Sequence, residues 1–98
     1  MRTPEGHEKA DIDKMLKSIA GLWYCAPVIQ GFGKSGMPDR IGCYQGMLFA
    51  LEVKRPGKAP TALQLIRMRE IQDAGGFVLA GTAADIISRF EQWIRQRD

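Results

Sequence analysis

The sequence predicts an α/β domain in which a central mixed β-sheet is flanked by helices, in the order α-β-β-β-α-β-α. Three observations support this fold class: apolar residues at helical spacing near both ends, two strand-like segments joined at Gln45-Gly46, and a helix-start motif at Thr61-Ala62-Leu63-Gln64. The chain has 98 residues and is 45% hydrophobic. We therefore expect a single domain, residues 1–98, with one compact core.

The first helix is predicted to start at Thr3-Pro4-Glu5, because Thr can cap free amide groups and Pro is tolerated at the first helical position. Its buried stripe, with spacings of three and four, consists of Ile12, Met15, Leu16 and Ile19. Gly21 is expected to end it. A first strand, rich in aromatic and β-branched residues, is then predicted from Leu22 to Ile29, before the glycine-rich loop Gly31–Gly36.

The next two strands, Arg40–Tyr44 and Met47–Lys54, are predicted to form a hairpin, because the glycine of Gln45-Gly46 accepts the positive φ of a two-residue turn. Side chains alternate between the faces of a strand, so Glu52 and Lys54 share one face with Leu48 and Ala50. Both faces of this strand begin apolar, which is typical of a strand covered on both sides. Two charges emerging from such a strand require a reason.

The second half of the chain has clear boundary signals. Thr61 and Gln64 match a capping box, and the helix that they start is expected to end at Gly75-Gly76. A short strand, Phe77–Ala80, follows. Thr82 can cap the last helix, whose predicted buried face consists of Ile86, Phe90, Trp93 and Ile94.

Composition excludes several classes of protein. Cys25 and Cys43 lack the spacing of a zinc site or a redox pair, and we expect both as buried thiols. The longest apolar stretch, Met47–Leu51, is far too short to span a bilayer, so no membrane association and a cytoplasmic location are expected. The net charge of +3 is mild and decides nothing alone.

Asp39, Glu52 and Lys54 form the candidate catalytic site. Asp39 begins one arm of the hairpin and Glu52 lies near the end of the other, so antiparallel pairing can bring both carboxylates to one end of the sheet. Carboxylates that hold Mg²⁺ supply an activated water and neutralise charge in phosphodiester hydrolysis. Lys54 could position that water or contact a phosphate oxygen. Taken singly, Asp39 could instead cap a turn after Pro38, and the other two could form an exposed pair.

Positive charge lies close in sequence to these residues, at Lys34, Arg40, Arg55 and Lys58. A phosphate backbone would have to lie there, although an ordinary solvated surface explains the same charges. Lys34 and Ser35 could contact a DNA phosphate, with a surface loop as the alternative. The loop lacks the full Walker spacing before its Lys-Ser pair, which argues against nucleotide hydrolysis.

Four segments, in this order, resemble the motifs of the VRR-NUC family, the virus-type replication-repair nucleases of the PD-(D/E)XK superfamily. They are Thr3-Pro4-Glu5-Gly6, Gly36-Met37-Pro38-Asp39, Leu51-Glu52-Val53-Lys54 and Pro60-Thr61-Ala62-Leu63-Gln64. The resemblance covers nearly the whole chain. It implies a restriction-endonuclease-like PD-(D/E)XK core.

The resemblance also implies roles for individual residues. Asp39, Glu52 and the main-chain carbonyl of Val53 would bind Mg²⁺ or Mn²⁺, and Lys54 would be catalytic. Gln64 would support the site and Glu5 would join it from the first helix. Both have a structural alternative: Gln64 completes the capping box, and a negative charge at Glu5 suits the start of a helix.

The implied activity is that of a metal-dependent, structure-selective DNA endonuclease, which as a homodimer would cut branched DNA such as Holliday junctions during DNA repair, replication or recombination. A bacterial or phage-infected cell is the expected setting. The alternatives are a monomeric flap or nicking nuclease and a non-catalytic nucleic-acid-binding module of the same fold. Trp23, Tyr24 and Trp93 are candidate interface anchors, although a place in the core is the expectation for each.

Overall fold

A computed structural model of the protein describes the backbone of residues 4–28 and 34–98, with side chains from residue 6 onward in the first range. The elements are α1 (Pro4–Lys17), β1 (Leu22–Cys25), β2 (Arg40–Tyr44), β3 (Met47–Val53), α2 (Ala62–Asp73), β4 (Phe77–Gly81) and α3 (Ala83–Arg97). This is the predicted order of elements. The predicted cap at Thr3 and strand end at Ile29 lie outside the described residues.

The four strands form one mixed sheet in the order β1-β2-β3-β4. The pairs β1–β2 and β2–β3 are antiparallel, whereas β4 runs parallel to β3 after the crossover through α2. Because β3 has a hydrogen-bonded neighbour on each side and helices nearby, its residues from Phe49 to Val53 are all buried. The strand that carries Glu52 is therefore the centre of the fold.

One face of the sheet packs against α1 and α3 and forms the core. The residues of this core are Ile12, Met15, Leu16, Tyr44, Phe49, Leu51, Val53, Leu79, Ala83, Ile86, Phe90, Trp93 and Ile94. Aromatic rings hold its centre: Phe49 meets Phe90 edge to face at 4.8 Å between ring centroids, and Phe77 stacks on Trp93 at 4.5 Å. The buried face predicted for the last helix is confirmed, as are Ile12, Met15 and Leu16 of the first. Ile19 lies beyond the end of α1 at Lys17 and is only partly buried.

The turn and the helix caps predicted from the sequence are also observed. In the β2–β3 hairpin, Gln45 and Gly46 have φ values of 50° and 80°, as a two-residue turn requires. Thr61 and Gln64 make both hydrogen bonds of the capping box, and the Thr82 hydroxyl accepts the N–H of Asp85 at the start of α3. Short-range sequence patterns therefore fix where these elements begin.

The second face of the sheet is only partly covered. The helix α2 packs along β4, and within it only Met68 is fully buried. Trp23, Cys25 and Cys43, which point to this face from β1 and β2, are exposed. The expectation that Trp23 lies in the core is therefore wrong, as is the expectation of two buried thiols. The reason is that no helix of the described chain reaches this part of the sheet.

The first strand is shorter than predicted. It ends at Cys25, where its last partner is Ile41, and not at Ile29. Pro27 has no N–H for a strand ladder and restricts the residue before it, which explains why aromatic and β-branched composition overestimated the strand.

Candidate functional site

Asp39 and Glu52 meet at one end of the sheet. Arg40 pairs with Leu51 in the β2–β3 ladder, so Asp39, one residue before β2, lies beside Glu52 near the end of β3. The main-chain N–H of Val53 donates a hydrogen bond to Asp39 Oδ2 at 2.8 Å. The hairpin thus brings the two carboxylates together as the antiparallel register requires.

Glu52 is the one buried charged residue of the described chain, with 1% of its surface exposed. Among the described residues, neither of its carboxylate oxygens meets a hydrogen-bond donor. Burial, followed by the hydrogen-bonding and negative charge of Asp39, raises the pKa of Glu52 to about 8, although Lys54 and Lys9 oppose this shift. Lys54 and Lys9 favour the ionised form of this side chain, and a bound cation would favour it further.

Asp39 is held in its ionised form. Burial raises the pKa of this carboxyl, but hydrogen bonds from a protonated Glu52 and from the Val53 amide, together with Lys9, outweigh burial and place the pKa below its usual value. The Lys9 ammonium lies 3.3 Å from Asp39 Oδ1. The pKa shifts of the two carboxyls therefore run in opposite directions, upward for Glu52 and downward for Asp39.

Lys54 follows the end of β3 and is half-buried. Its main-chain N–H donates to the carbonyl of Gly81 at 2.7 Å, which extends the ladder to β4 and fixes the backbone at this point. Its charge favours ionisation of Glu52. Lys54 is thus placed at the same end of the sheet as the two carboxylates.

Gln64 and Glu5 differ in what the structure shows of them. The Gln64 side-chain oxygen accepts the N–H of Thr61 at 2.9 Å, so its capping function is observed directly. Its part in catalysis stays a prediction. Glu5 lies in the first turn of α1, and its side chain falls outside the described residues.

The predicted DNA-binding residues Lys34, Ser35, Arg55 and Lys58 are all exposed. The carbonyl of Ser35 accepts a hydrogen bond from the Arg67 side chain at 2.9 Å, which links Ser35 to α2. The position of Arg40 in the sequence suggested a phosphate contact, but this side chain binds another residue of the protein. Its guanidinium binds both oxygens of Asp13, at 2.7 and 2.9 Å.

Sequence reasoning missed the contribution of α1 to the site. Lys9 reaches Asp39, and one turn later Asp13 binds Arg40. A signal for this contact was available in the sequence. Lys9 and Asp13 are four residues apart and so lie on one face of α1, and Asp39 and Arg40 carry the complementary charges. This signal became informative only once α1 was known to pack beside the start of β2.

The donor set fits Mg²⁺ or Mn²⁺. Within the described side chains, no group of three His, Cys, Asp or Glu residues could hold a metal ion. A metal at this site would instead be held by the two carboxylates and, as the resemblance implies, by the adjoining main-chain carbonyl of Val53. Mg²⁺ commonly binds through one or two carboxylates together with water and substrate phosphates. The oxygens of buried Glu52 accept no hydrogen bond from the described residues, and this observation favours such a cation.

The fold and these carboxylates define an α/β domain with a candidate metal centre at the end of its sheet. A solved structure of a VRR_NUC domain has the same fold: its TM-score is 0.76, the match covers 93% of this chain and 97% of that chain, and the sequence identity is 19%. No protein-family model and no curated protein matches the sequence. The resemblance to VRR-NUC proteins is therefore confirmed at the level of the fold.

The described helices do not match a membrane span. Within residues 4–28 and 34–98, none has the length and apolar character that crossing a bilayer would require.

Proposed function

We propose that this protein is a metal-dependent, structure-selective DNA endonuclease. The observation that carries the proposal is the Glu52 carboxylate, which is buried, has no donor among the described residues and lies beside Asp39 at the end of the central strand. Burying an ionisable group in this way is costly, so it needs a functional reason. The likeness in fold to a VRR_NUC domain supports a nuclease as the class of enzyme.

Each site residue has a chemical role in this proposal. Asp39 and Glu52 would hold Mg²⁺ or Mn²⁺ together with the Val53 carbonyl. When bound, the metal would polarise the phosphate and lower the pKa of a coordinated water. Lys54, whose backbone is fixed by Gly81, would contact a nonbridging phosphate oxygen or orient the attacking water.

The substrate is proposed to be DNA, recognised through its backbone and shape. The exposed cations Lys34, Arg55 and Lys58 flank the site residues in sequence and suit phosphate contacts, with Ser35 as a neutral donor. Recognition of this kind suits branched substrates, including Holliday junctions, in DNA repair, replication or recombination.

A homodimer is the proposed working form. The uncovered part of the sheet presents Trp23, Cys25, Cys43 and Leu48, all exposed and none charged. We call these four residues the open sheet face. An uncharged apolar face is poorly suited to polyanionic DNA but suits a second copy of the same chain. Two sites related by a twofold axis could then nick two strands symmetrically.

Cleavage assays test the activity. Labelled four-way junction, flap, fork and linear duplex DNA would be incubated with Mg²⁺, Mn²⁺ or EDTA. We expect metal-dependent cleavage that Asp39→Asn, Glu52→Gln and Lys54→Ala each reduce by more than about 100-fold. Asp73→Asn, which alters an exposed carboxylate of α2, serves as the matched control and should cleave normally.

The cleavage pattern distinguishes the alternatives. Paired symmetrical cuts in the junction support the dimeric resolvase, whereas a cut in one strand of a flap or fork supports a monomeric nuclease. DNA binding without cleavage under every metal condition would favour the non-catalytic module. Full activity of the Asp39 and Glu52 variants would refute the assigned site.

A further inference from the structure

Lys9 pairs with one oxygen of the Asp39 carboxylate, and the backbone engages the other. Asp39 Oδ2 is engaged by the Val53 N–H at 2.8 Å, and the Lys9 ammonium lies 3.3 Å from Oδ1. Each oxygen of this carboxylate therefore already has a positively polarised partner within the chain. Glu52, in contrast, has no donor among the described residues.

The position of Lys9 is fixed by the contacts of α1. Asp13, one turn further along this helix, binds Arg40 through two hydrogen bonds of 2.7 and 2.9 Å. Arg40 also donates to the main-chain carbonyl of Asp39 at 2.7 Å. On the other side of Lys9, the carboxylate of Glu8 accepts the N–H of Ala83 at the start of α3. These contacts hold the segment around Lys9 against the site from both directions.

We propose that Lys9 is a built-in counter-ion that a divalent cation must displace from Asp39, so that this lysine limits the affinity of the site for metal. The inference rests on the proposed function, because it assumes that Asp39 is a metal ligand. Two cations cannot share one carboxylate oxygen without strong repulsion at such short range. The Lys9 side chain is 35% exposed, so it can swing into solvent when metal binds.

Calorimetric titration with Mn²⁺, without DNA and at fixed ionic strength, tests this inference. Lys9→Gln should bind Mn²⁺ about threefold to fivefold more tightly than the wild-type protein, because removing a partly exposed ion pair changes such an equilibrium by about that much. Lys9→Arg, which keeps the charge, should bind like wild type. Lys14→Gln removes an exposed lysine of the same helix and should change the affinity less than about twofold.

A second measurement requires no variant. Limited acetylation of the wild-type protein, followed by mass spectrometry, should show greater modification of Lys9 when Mn²⁺ is present, with Lys14 unchanged. Metal binding would release the Lys9 amine from Asp39 and expose it to the reagent.

The outcomes separate this inference from the proposed function. Equal or weaker Mn²⁺ binding by Lys9→Gln, or unchanged acetylation of Lys9, would overturn the counter-ion role while leaving a metal site that Asp39→Asn abolishes. If neither wild type nor Lys9→Gln binds Mn²⁺ in a way that depends on Asp39, the proposed function fails as well.

Discussion

Among the single residues of the site, Glu52 lowers the stability of the fold when its side chain is ionised. Its side chain is almost completely buried, and its ionised form finds no donor in the described chain. The pKa of Glu52 rises from 4.5 to about 8 on folding. Stability from the bound proton is therefore fully present below about pH 4.5 and is lost as the pH rises through about 8.

The upward direction of this pKa shift predicts how Glu52→Gln changes the stability of the metal-free protein. The amide carries no charge and can donate a hydrogen bond to Asp39, so the variant should melt at least about 4 °C above wild type in EDTA at pH 8.5, a gain of roughly 1 kcal/mol. The difference should shrink as the pH falls toward 5. Thermal melts across this range measure it.

Glu91→Gln is the matched control for this prediction, because Glu91 is an exposed carboxylate of α3. It should melt like wild type at each pH. If Glu52→Gln were no more stable than wild type at pH 8.5, the buried carboxylate would not be a cost to folding.

The central residues of the site could be predicted from the sequence because they obey local rules. Asp39 and Glu52 follow from the hairpin register, and Lys54 from the alternation of side chains along a strand. Lys9 could not be predicted in the same way, since its contact depends on how α1 packs against the start of β2. A contact between elements that are distant in sequence is only weakly indicated by the residue pattern of either element.

At the scale of elements, α2 allows the two roles of Gln64 to be separated. Thr61 and Gln64 make reciprocal hydrogen bonds of 3.2 and 2.9 Å at the start of the helix. If capping is the whole role of Gln64, Thr61→Ala and Gln64→Ala should each lower the free energy of unfolding by about 1 kcal/mol and leave cleavage nearly unchanged. The observed bonds support the capping role, while the catalytic role implied by the resemblance stays a prediction.

Urea denaturation and cleavage assays on both variants measure these effects, with Thr61→Ala as the control for loss of the cap. A loss of cleavage confined to Gln64→Ala, at equal stability of the two variants, would instead establish a catalytic role for Gln64.

Among the secondary-structure elements too, features set by neighbouring residues were predictable and features set by distant residues were not. The hairpin turn, the capping box and the start of α3 were predictable because each signal lies within a few residues. Gly42 illustrates the opposite case: a Cβ at this position would come within 2.4 Å of both the Phe49 ring and the carbonyl oxygen of Trp23. The need for glycine there depends on two neighbouring strands and is not visible in β2 alone.

The open sheet face leads to a prediction at the scale of the whole molecule. Trp23 is 63% exposed and Leu48 is 45% exposed on this face. A stable interface of standard size buries about 800 Å² on each partner, and a large aromatic residue is a typical anchor. Light scattering after size-exclusion chromatography should therefore give a dimer for wild type and a monomer for Trp23→Glu.

Leu65→Glu is the matched control, because Leu65 is 53% exposed on α2 but lies beside Val78 and Ala80, toward the β4 edge. This variant should remain a dimer. A monomeric wild-type protein, or a Trp23→Glu dimer of unchanged affinity, would contradict a dimer formed through the open sheet face.

The parallel pairing of β3 with β4 also has a consequence for synthesis on the ribosome. The β2–β3 hairpin can form as soon as residue 53 has emerged, whereas Ala80, the partner of Glu52, follows only after the whole of α2. Asp39 and the hairpin that contains Glu52 are therefore translated before α2 and β4. A chain arrested after residue 53 would contain both carboxylates but not the strand that completes the sheet beside Glu52.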